Sequence, residues 1–220
     1  MYLNIYLSEK AYKSKEKLPV VFWIHGGGNT WGYSASNIFT SGDFILDHDV
    51  ILVTTNYRLG PFGWFAYSGL NQDSENPLDR TANFGTLDII KSLEWVNKYI
   101  SFFNGDPENI TIFGESAGAR NVLSLYLAEP AKNLFQRGIV QSGYLVSDDL
   151  EYSRNNPVSG SMTFVKSSLN KKNSNMNPMT LKETLEDVVN LGDYLRDLTK
   201  EEIISFYRVR EDAGGLIDVP

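Results

Sequence analysis

The sequence predicts an α/β protein, a mostly parallel central sheet with flanking helices that leads into the start of a cap-like helical region. Three observations lead there. Short apolar runs at 19–25, 49–57 and 110–113 alternate with stretches of helical periodicity, the pattern of strands joined by crossover helices. The run Pro19-Val20-Val21-Phe22-Trp23-Ile24-His25 is apolar on both faces, as a strand covered from two sides must be. Finally, Gly114-Glu115-Ser116-Ala117-Gly118 stands where a strand-like run meets a helical pattern, the position of a sharp strand-to-helix turn.

Taken in order, residues 2–7 alternate apolar and polar positions and predict a first strand, followed by a polar, Lys-rich connection. The run at 19–25 is the central strand and passes directly into Gly26-Gly27-Gly28, then Asn29-Thr30-Trp31-Gly32-Tyr33. Three consecutive glycines permit backbone conformations and close approaches that other residues do not. Some helical content is expected around Phe44–Leu46, and the run at 49–57 is a third strand. Leu59-Gly60-Pro61-Phe62-Gly63-Trp64-Phe65 is a loop, and the polar stretch 71–83 a surface connection.

A long helix is predicted from near Gly85, with Ile89, Leu93, Val96 and Ile100 forming one apolar stripe. It ends near Asn104-Gly105-Asp106-Pro107, where Asn and Gly accept left-handed backbone and Pro cannot continue a helix. The 110–113 strand, the pentapeptide at 114–118 and a helix to about Ala128 follow, with a further strand at 138–142. From 151 to 180 the chain is rich in Ser, Asn and Lys, and 170–175 reads as a flexible loop or linker. Helical patterns return at 180–189 and 199–208, a cap-like excursion over 151–220 attached to a sheet core in 1–150.

The composition narrows the function. Hydrophobic residues make up 42% of the 220 and aromatics 13%, enough for a buried core, while no apolar run reaches the roughly 20 residues of a membrane span. A net charge of −7 argues against nucleic acid and anionic membranes as partners, since both select clustered Lys and Arg. With no cysteine there is no disulfide, thiol nucleophile or thiolate metal site, and the compartment stays open. No signal peptide is visible and both ends look cut. No cofactor or metal is expected. The sequon Asn109-Ile110-Thr111 falls in a predicted buried strand and is not expected to carry a glycan.

The chemistry centres on Ser116. A hydroxyl is a weak nucleophile, so an enzyme exposes it on a tight turn and surrounds the attacked carbonyl with donors. Glycines two residues to either side suit such a turn; the competing reading is a capping serine at a helix start. When a nucleophile adds to a carbonyl, negative charge collects on the oxygen, and preorganised N–H groups stabilise it. The backbone amides of Gly27, Gly28 and Ala117 would make such an oxyanion hole. The competing reading of the glycines is a flexible turn or a phosphate loop, although neither a following Lys-Ser/Thr nor G-x-G-x-x-G is present.

These motifs, together with Tyr2-Leu3-Asn4-Ile5-Tyr6, Asn56-Tyr57-Arg58-Leu59-Gly60-Pro61-Phe62-Gly63, Gly105-Asp106-Pro107-Glu108-Asn109-Ile110-Thr111 and Gln141-Ser142-Gly143, resemble the type B carboxylesterases, the cholinesterase-like branch of the α/β-hydrolases. The ordered matches run from 2 to 143. The resemblance implies an α/β-hydrolase fold and hydrolysis of a small carboxylic ester through an acyl-enzyme on Ser116, with Gly27, Gly28 and Ala117 as oxyanion donors. It gives Glu115 an electrostatic role at the pocket. Trp31 and Tyr33 would either line a substrate gorge or simply pack. Arg58 and Asp88 would form a buried ion pair. Asn29 departs from the pattern where many relatives carry an aromatic, and Asn104 where many carry glycine.

In the family order the triad acid and histidine follow the nucleophile. The only two histidines, His25 and His48, precede Ser116, so the 220 residues look like roughly the N-terminal half of such an enzyme. Asp187 and Asp193 alone would not complete a relay without an imidazole. The alternative to an esterase is a non-catalytic binding or adhesion module on the same fold, or an inactive truncated fragment. Oligomeric state is left undetermined.

Overall fold

The computed structural model describes residues 2–13, 16–35, 48–70, 74–145, 147–157, 159–172 and 188–208. Within these, the chain forms two compact units, one from 1–63 with 85–146 and the other from 64–84 with 147–220. The expected helical content at Phe44–Leu46 and nearly all of the 180–189 pattern lie outside the described residues.

The first unit is a five-stranded sheet: β1 (Leu3–Tyr6), β2 (Leu18–Ile24), β3 (Ile51–Thr55), β4 (Gly105–Glu115) and β5 (Arg137–Gln141), in the spatial order β1-β3-β2-β4-β5. β2 is central and pairs in parallel with both β3 and β4; β5 extends the parallel set, and β1 closes the other edge antiparallel to β3. The continuous apolar runs follow from this position. Val20, Phe22 and Ile24 on β2, Ile51 and Val53 on β3, and Ile110 and Ile112 on β4 are fully buried and share one face by register. On the other face Trp23 and Leu52 are buried with Tyr6, Val21 and Phe113 around them, the Trp23 and Phe113 rings 4.8 Å apart.

The helix Phe84–Tyr99 lays Ile89, Leu93 and Val96 on the first face, and Ile100 continues the stripe just beyond it, all four fully buried. Ser92 Oγ on the same side lies 2.8 Å from Thr55 Oγ1, so two buried hydroxyls satisfy each other. The helix ends as read: Asn104 is left-handed at φ 64°, and its Nδ2 donates to the carbonyls of Ala11 and Tyr12. The Arg58–Asp88 pair forms, with Nε and Nη2 of Arg58 each 2.8 Å from a carboxylate oxygen. It differs from expectation in depth: Asp88 is largely covered, but the Arg58 side chain is 51% exposed.

The second unit has its own core of Phe65, Tyr67, Phe164, Val165, Leu169, Leu191, Leu195 and Tyr207. Ser161 Oγ donates to the Ala66 carbonyl at 2.7 Å, which ties the 64–84 segment to the later helices. Those helices span Leu150–Asn155, Ser161–Lys172, Val188–Asp197 and Lys200–Arg208. The stretch 151–172 is therefore mostly helical, and residues 170–172 end a helix where a flexible loop was expected. Sparse apolar residues at 164, 165 and 169 supply the buried face.

Candidate active site

The parallel register of β2 and β4 brings the two glycine motifs together. Ile24 pairs with Gly114, so the chain leaves both strands side by side, into Gly26–Gly28 on one and Ser116 on the other. A methyl group on Gly26 would lie 2.7 Å from the Glu115 carbonyl oxygen, 3.1 Å from Glu115 Oε2 and 3.3 Å from Ser116 Cβ. The glycine loop thus begins in contact with the turn that carries Ser116, and the Glu115 carboxylate lies beside it.

Ser116 sits between β4 and the helix Ala117–Leu127 at φ 54°, ψ −120°, a conformation rare for any residue with a Cβ. Its amide donates to the Gln141 carbonyl at 2.9 Å, and its own carbonyl accepts from Arg120 at 3.1 Å. The side chain makes no capping hydrogen bond, so the hydroxyl is not consumed by the helix it precedes. Close packing explains the flanking glycines. A Cβ at Gly118 would lie 2.0 Å from the Ile24 carbonyl oxygen, and one at Gly114 2.4 Å from the Gly118 carbonyl carbon. Ala117 opens the helix, where first-turn amides have no acceptor within the helix.

The glycine loop is folded on itself. Gly27, Gly28 and Asn29 all have positive φ, at 103°, 61° and 57°, and the Gly27 carbonyl accepts from the amides of Thr30 and Trp31. At Gly27 a Cβ would lie 2.2 Å from the Trp31 carbonyl oxygen, whereas at Gly28 nothing comes nearer than Thr30 Oγ1 at 3.6 Å. Trp31 and Tyr33, 66% and 59% exposed, are not packed into a core.

His25 holds this loop. It is buried, its Nδ1 donates to the Gly26 carbonyl at 2.8 Å, and its ring stacks on Tyr57 at 4.4 Å. Burial lowers its pKa below the usual 6.5, with the Gly26 hydrogen bond opposing, so the ring is neutral near pH 7. His48 lies just before β3 on the surface. Two residues escaped the sequence reading. Tyr57 donates from its hydroxyl to the His25 carbonyl at 2.6 Å, and burial pushes its phenol well above the ordinary range. Asn121, buried on the helix after Ser116, donates from Nδ2 to Asn29 Oδ1 at 2.9 Å. An amide among the apolar residues of that helix was the available signal.

A model of the carboxylesterase family matches residues 1–213. The chain belongs to the carboxylesterase family. Among curated relatives, the para-nitrobenzyl esterase of Bacillus subtilis (strain 168) is 39% identical over 143 residues, covering 65% of this chain and 27% of that protein. Carboxylesterase 5A of Homo sapiens is 41% identical over 158 residues, covering 70% of this chain and 26% of that protein. The chain therefore spans about a quarter to a third of the length of the curated relatives it matches. Among solved structures, a PNB esterase superimposes with a TM-score of 0.64 at 32% identity, over 90% of this chain and 39% of the other. Juvenile hormone esterase from Manduca sexta does so at 0.69 and 26%, over 98% and 36%. This carboxylesterase-family chain has the α/β-hydrolase fold, with Ser116 at the strand-to-helix turn of that fold.

No helix among the described residues is long and apolar enough to cross a membrane. A cavity of about 250 Å³ lined by Phe164, Tyr194, Leu198 and Phe206 belongs to the second unit and contains none of the candidate site residues.

Proposed function

We propose that the protein hydrolyses small carboxylic esters through an acyl-enzyme intermediate on Ser116. The observation that carries this reading is the strained, uncapped serine in contact with the glycine loop. The Ser116 hydroxyl attacks the ester carbonyl carbon; the carbonyl oxygen becomes an oxyanion held by the amides of Gly27, Gly28 and Ala117. Collapse expels the alcohol and leaves the acyl group on Ser116 Oγ, and water then releases the carboxylic acid and regenerates the serine. Each oxyanion donor is worth roughly 3 kcal/mol of transition-state stabilisation.

Glu115 contributes negative potential at the start of the loop, and the exposed rings of Trp31 and Tyr33 supply apolar contact to the substrate. The family order puts the general base, a histidine with a carboxylate partner, downstream of Ser116, and neither His25 nor His48 follows it. His25 cannot serve, because its ring is buried and its Nδ1 is committed to the loop it supports.

The test is hydrolysis of short-chain p-nitrophenyl esters, with fluorophosphonate labelling, by protein expressed from the complete gene. Ester turnover and labelling are expected in the parent and neither in Ser116→Ala. A serine-to-alanine variant as active as the parent would sink the assignment, and a parent that is inert to both would favour a binding module on the same fold.

A further inference from the structure

The glycine loop is held at both of its ends by side chains from elsewhere in the first unit. At the leading end, the Tyr57 hydroxyl donates to the His25 carbonyl at 2.6 Å. At the trailing end, Asn29 Oδ1 accepts from Asn121 Nδ2 at 2.9 Å and lies 3.4 Å from the same Tyr57 hydroxyl. The Asn29 carbonyl also accepts from the Gly60 amide at 2.7 Å, which fixes the backbone just past the glycines. Gly26, Gly27 and Gly28 are thus suspended between two anchored residues, and one of the anchors is tied to the helix that begins at Ala117.

The cost of this arrangement argues that it serves a purpose. Asn121 is 3% exposed on a helix whose other buried residues are Ala117, Gly118, Ala119, Val122 and Leu125. Burying a primary amide among apolar groups costs about 1–3 kcal/mol unless it is bonded, and an aliphatic residue there would avoid the cost. Asn29 adopts left-handed backbone at φ 57°, which asparagine tolerates better than other residues with a Cβ. The pair links segments 92 residues apart, so only the folded state rewards it.

Building on the ester-hydrolase reading, we infer that Asn29, Asn121 and Tyr57 form a polar latch that fixes the Gly27 and Gly28 amides relative to the Ala117 amide, making these three side chains positioning residues for the oxyanion hole. The latch joins the two halves of the donor set. Gly27 and Gly28 lie on a loop after β2 and Ala117 on the helix Ala117–Leu127, and the Asn29–Asn121 bond spans that division. Three amides stabilise an oxyanion together only if their spacing holds through the reaction, and a displacement of 1 Å in such a set costs on the order of a hundredfold in rate.

The experiment uses protein expressed from the complete gene, carrying Asn29→Gly, Asn121→Ala or both. Glycine at 29 keeps the left-handed backbone accessible and removes only the side chain, so this variant isolates the latch from the turn. Two readouts are taken: kcat and KM on a p-nitrophenyl ester, and amide hydrogen exchange of peptides covering 26–33. Each single variant is expected to lower kcat by about tenfold or more with KM changed less than about twofold. Each is expected to speed exchange in the loop, and the double variant to be no worse than the singles in either readout. Parent-like kcat in Asn29→Gly, a KM effect in place of a kcat effect, or losses that multiply in the double variant would each overturn the latch. A parent without Ser116-dependent turnover would defeat the ester-hydrolase reading instead. In that case the exchange cycle still decides whether Asn29 and Asn121 are coupled.

Discussion

Replacing Ser116 by glycine should stabilise the protein relative to replacing it by alanine, the reverse of the usual order. At ordinary strand or helix positions glycine is less stable than alanine by about 0.5–1 kcal/mol, because it has more backbone freedom to lose. Ser116 is held at φ 54°, ψ −120°, where a Cβ is strained and glycine is not. Such strain is worth about 1–3 kcal/mol. The turn is held in place because the Ser116 amide and carbonyl are both bonded and Gly118 packs so closely on the Ile24 carbonyl that a Cβ there would lie 2.0 Å from its oxygen. Subtracting the entropy cost from the strain leaves glycine ahead by about 1 kcal/mol. Both variants lack the hydroxyl, so the comparison removes any contribution from it. Urea unfolding midpoints of Ser116→Ala and Ser116→Gly, measured side by side, give the difference directly. A glycine variant equal to or less stable than the alanine variant would refute the claim that the turn is strained at this residue.

The remaining predictions concern the glycine loop. Gly27→Ala should disrupt the loop, because the new methyl would lie 2.2 Å from the Trp31 carbonyl oxygen, whereas in Gly28→Ala it meets only Thr30 Oγ1 at an ordinary contact distance of 3.6 Å and should cost only the roughly 1–2 kcal/mol of a left-handed alanine. Equal losses in unfolding free energy for the two would contradict this. His25 should make stability depend on pH. Its folded-state pKa lies below 6.5, so below that pH the unfolded chain binds a proton that the folded one refuses; the stabilisation is complete above pH 6.5 and is lost as pH falls through the folded value. The slope from this residue is at most about 1.4 kcal/mol per pH unit. Urea midpoints followed from about pH 7.5 to 5.5 should fall less steeply in His25→Gln than in the parent, and identical slopes would count against it.

What could be read from the sequence was what is enforced locally or by the sheet itself. β2 shows as an unbroken apolar run because strands flank it on both sides and side chains cover both of its faces. The pentapeptide around Ser116 was legible because backbone atoms demand its glycines: the Ile24 carbonyl leaves no room for a Cβ at Gly118. The helices at 150–155 and 161–172 were missed because their composition is that of a loop. The later of the two is held by burial of Phe164, Val165 and Leu169 in one cluster with Phe65 and Tyr67, a contact that no local pattern announces.

Arg58 and Asp88 show the same limit in another form. The family resemblance implies the pair, but how deeply each side chain lies depends on what surrounds it. Asn29 is the most instructive case. Against the family pattern it is a departure, a polar residue where an aromatic is common, and its left-handed backbone explains why an asparagine is tolerated there but not what its side chain does. Its explanation lies 92 residues away in Asn121, itself inconspicuous as one amide in an apolar helix. Each residue is costly by itself, one in left-handed backbone and the other buried and polar, and the hydrogen bond between them offsets both costs. A pair of this kind leaves no periodicity and no motif, so it becomes visible only when the fold closes the distance. That is also why the test of the latch includes a double variant: each single variant shows that its own residue matters, and only losses that fail to multiply show that the two act as one.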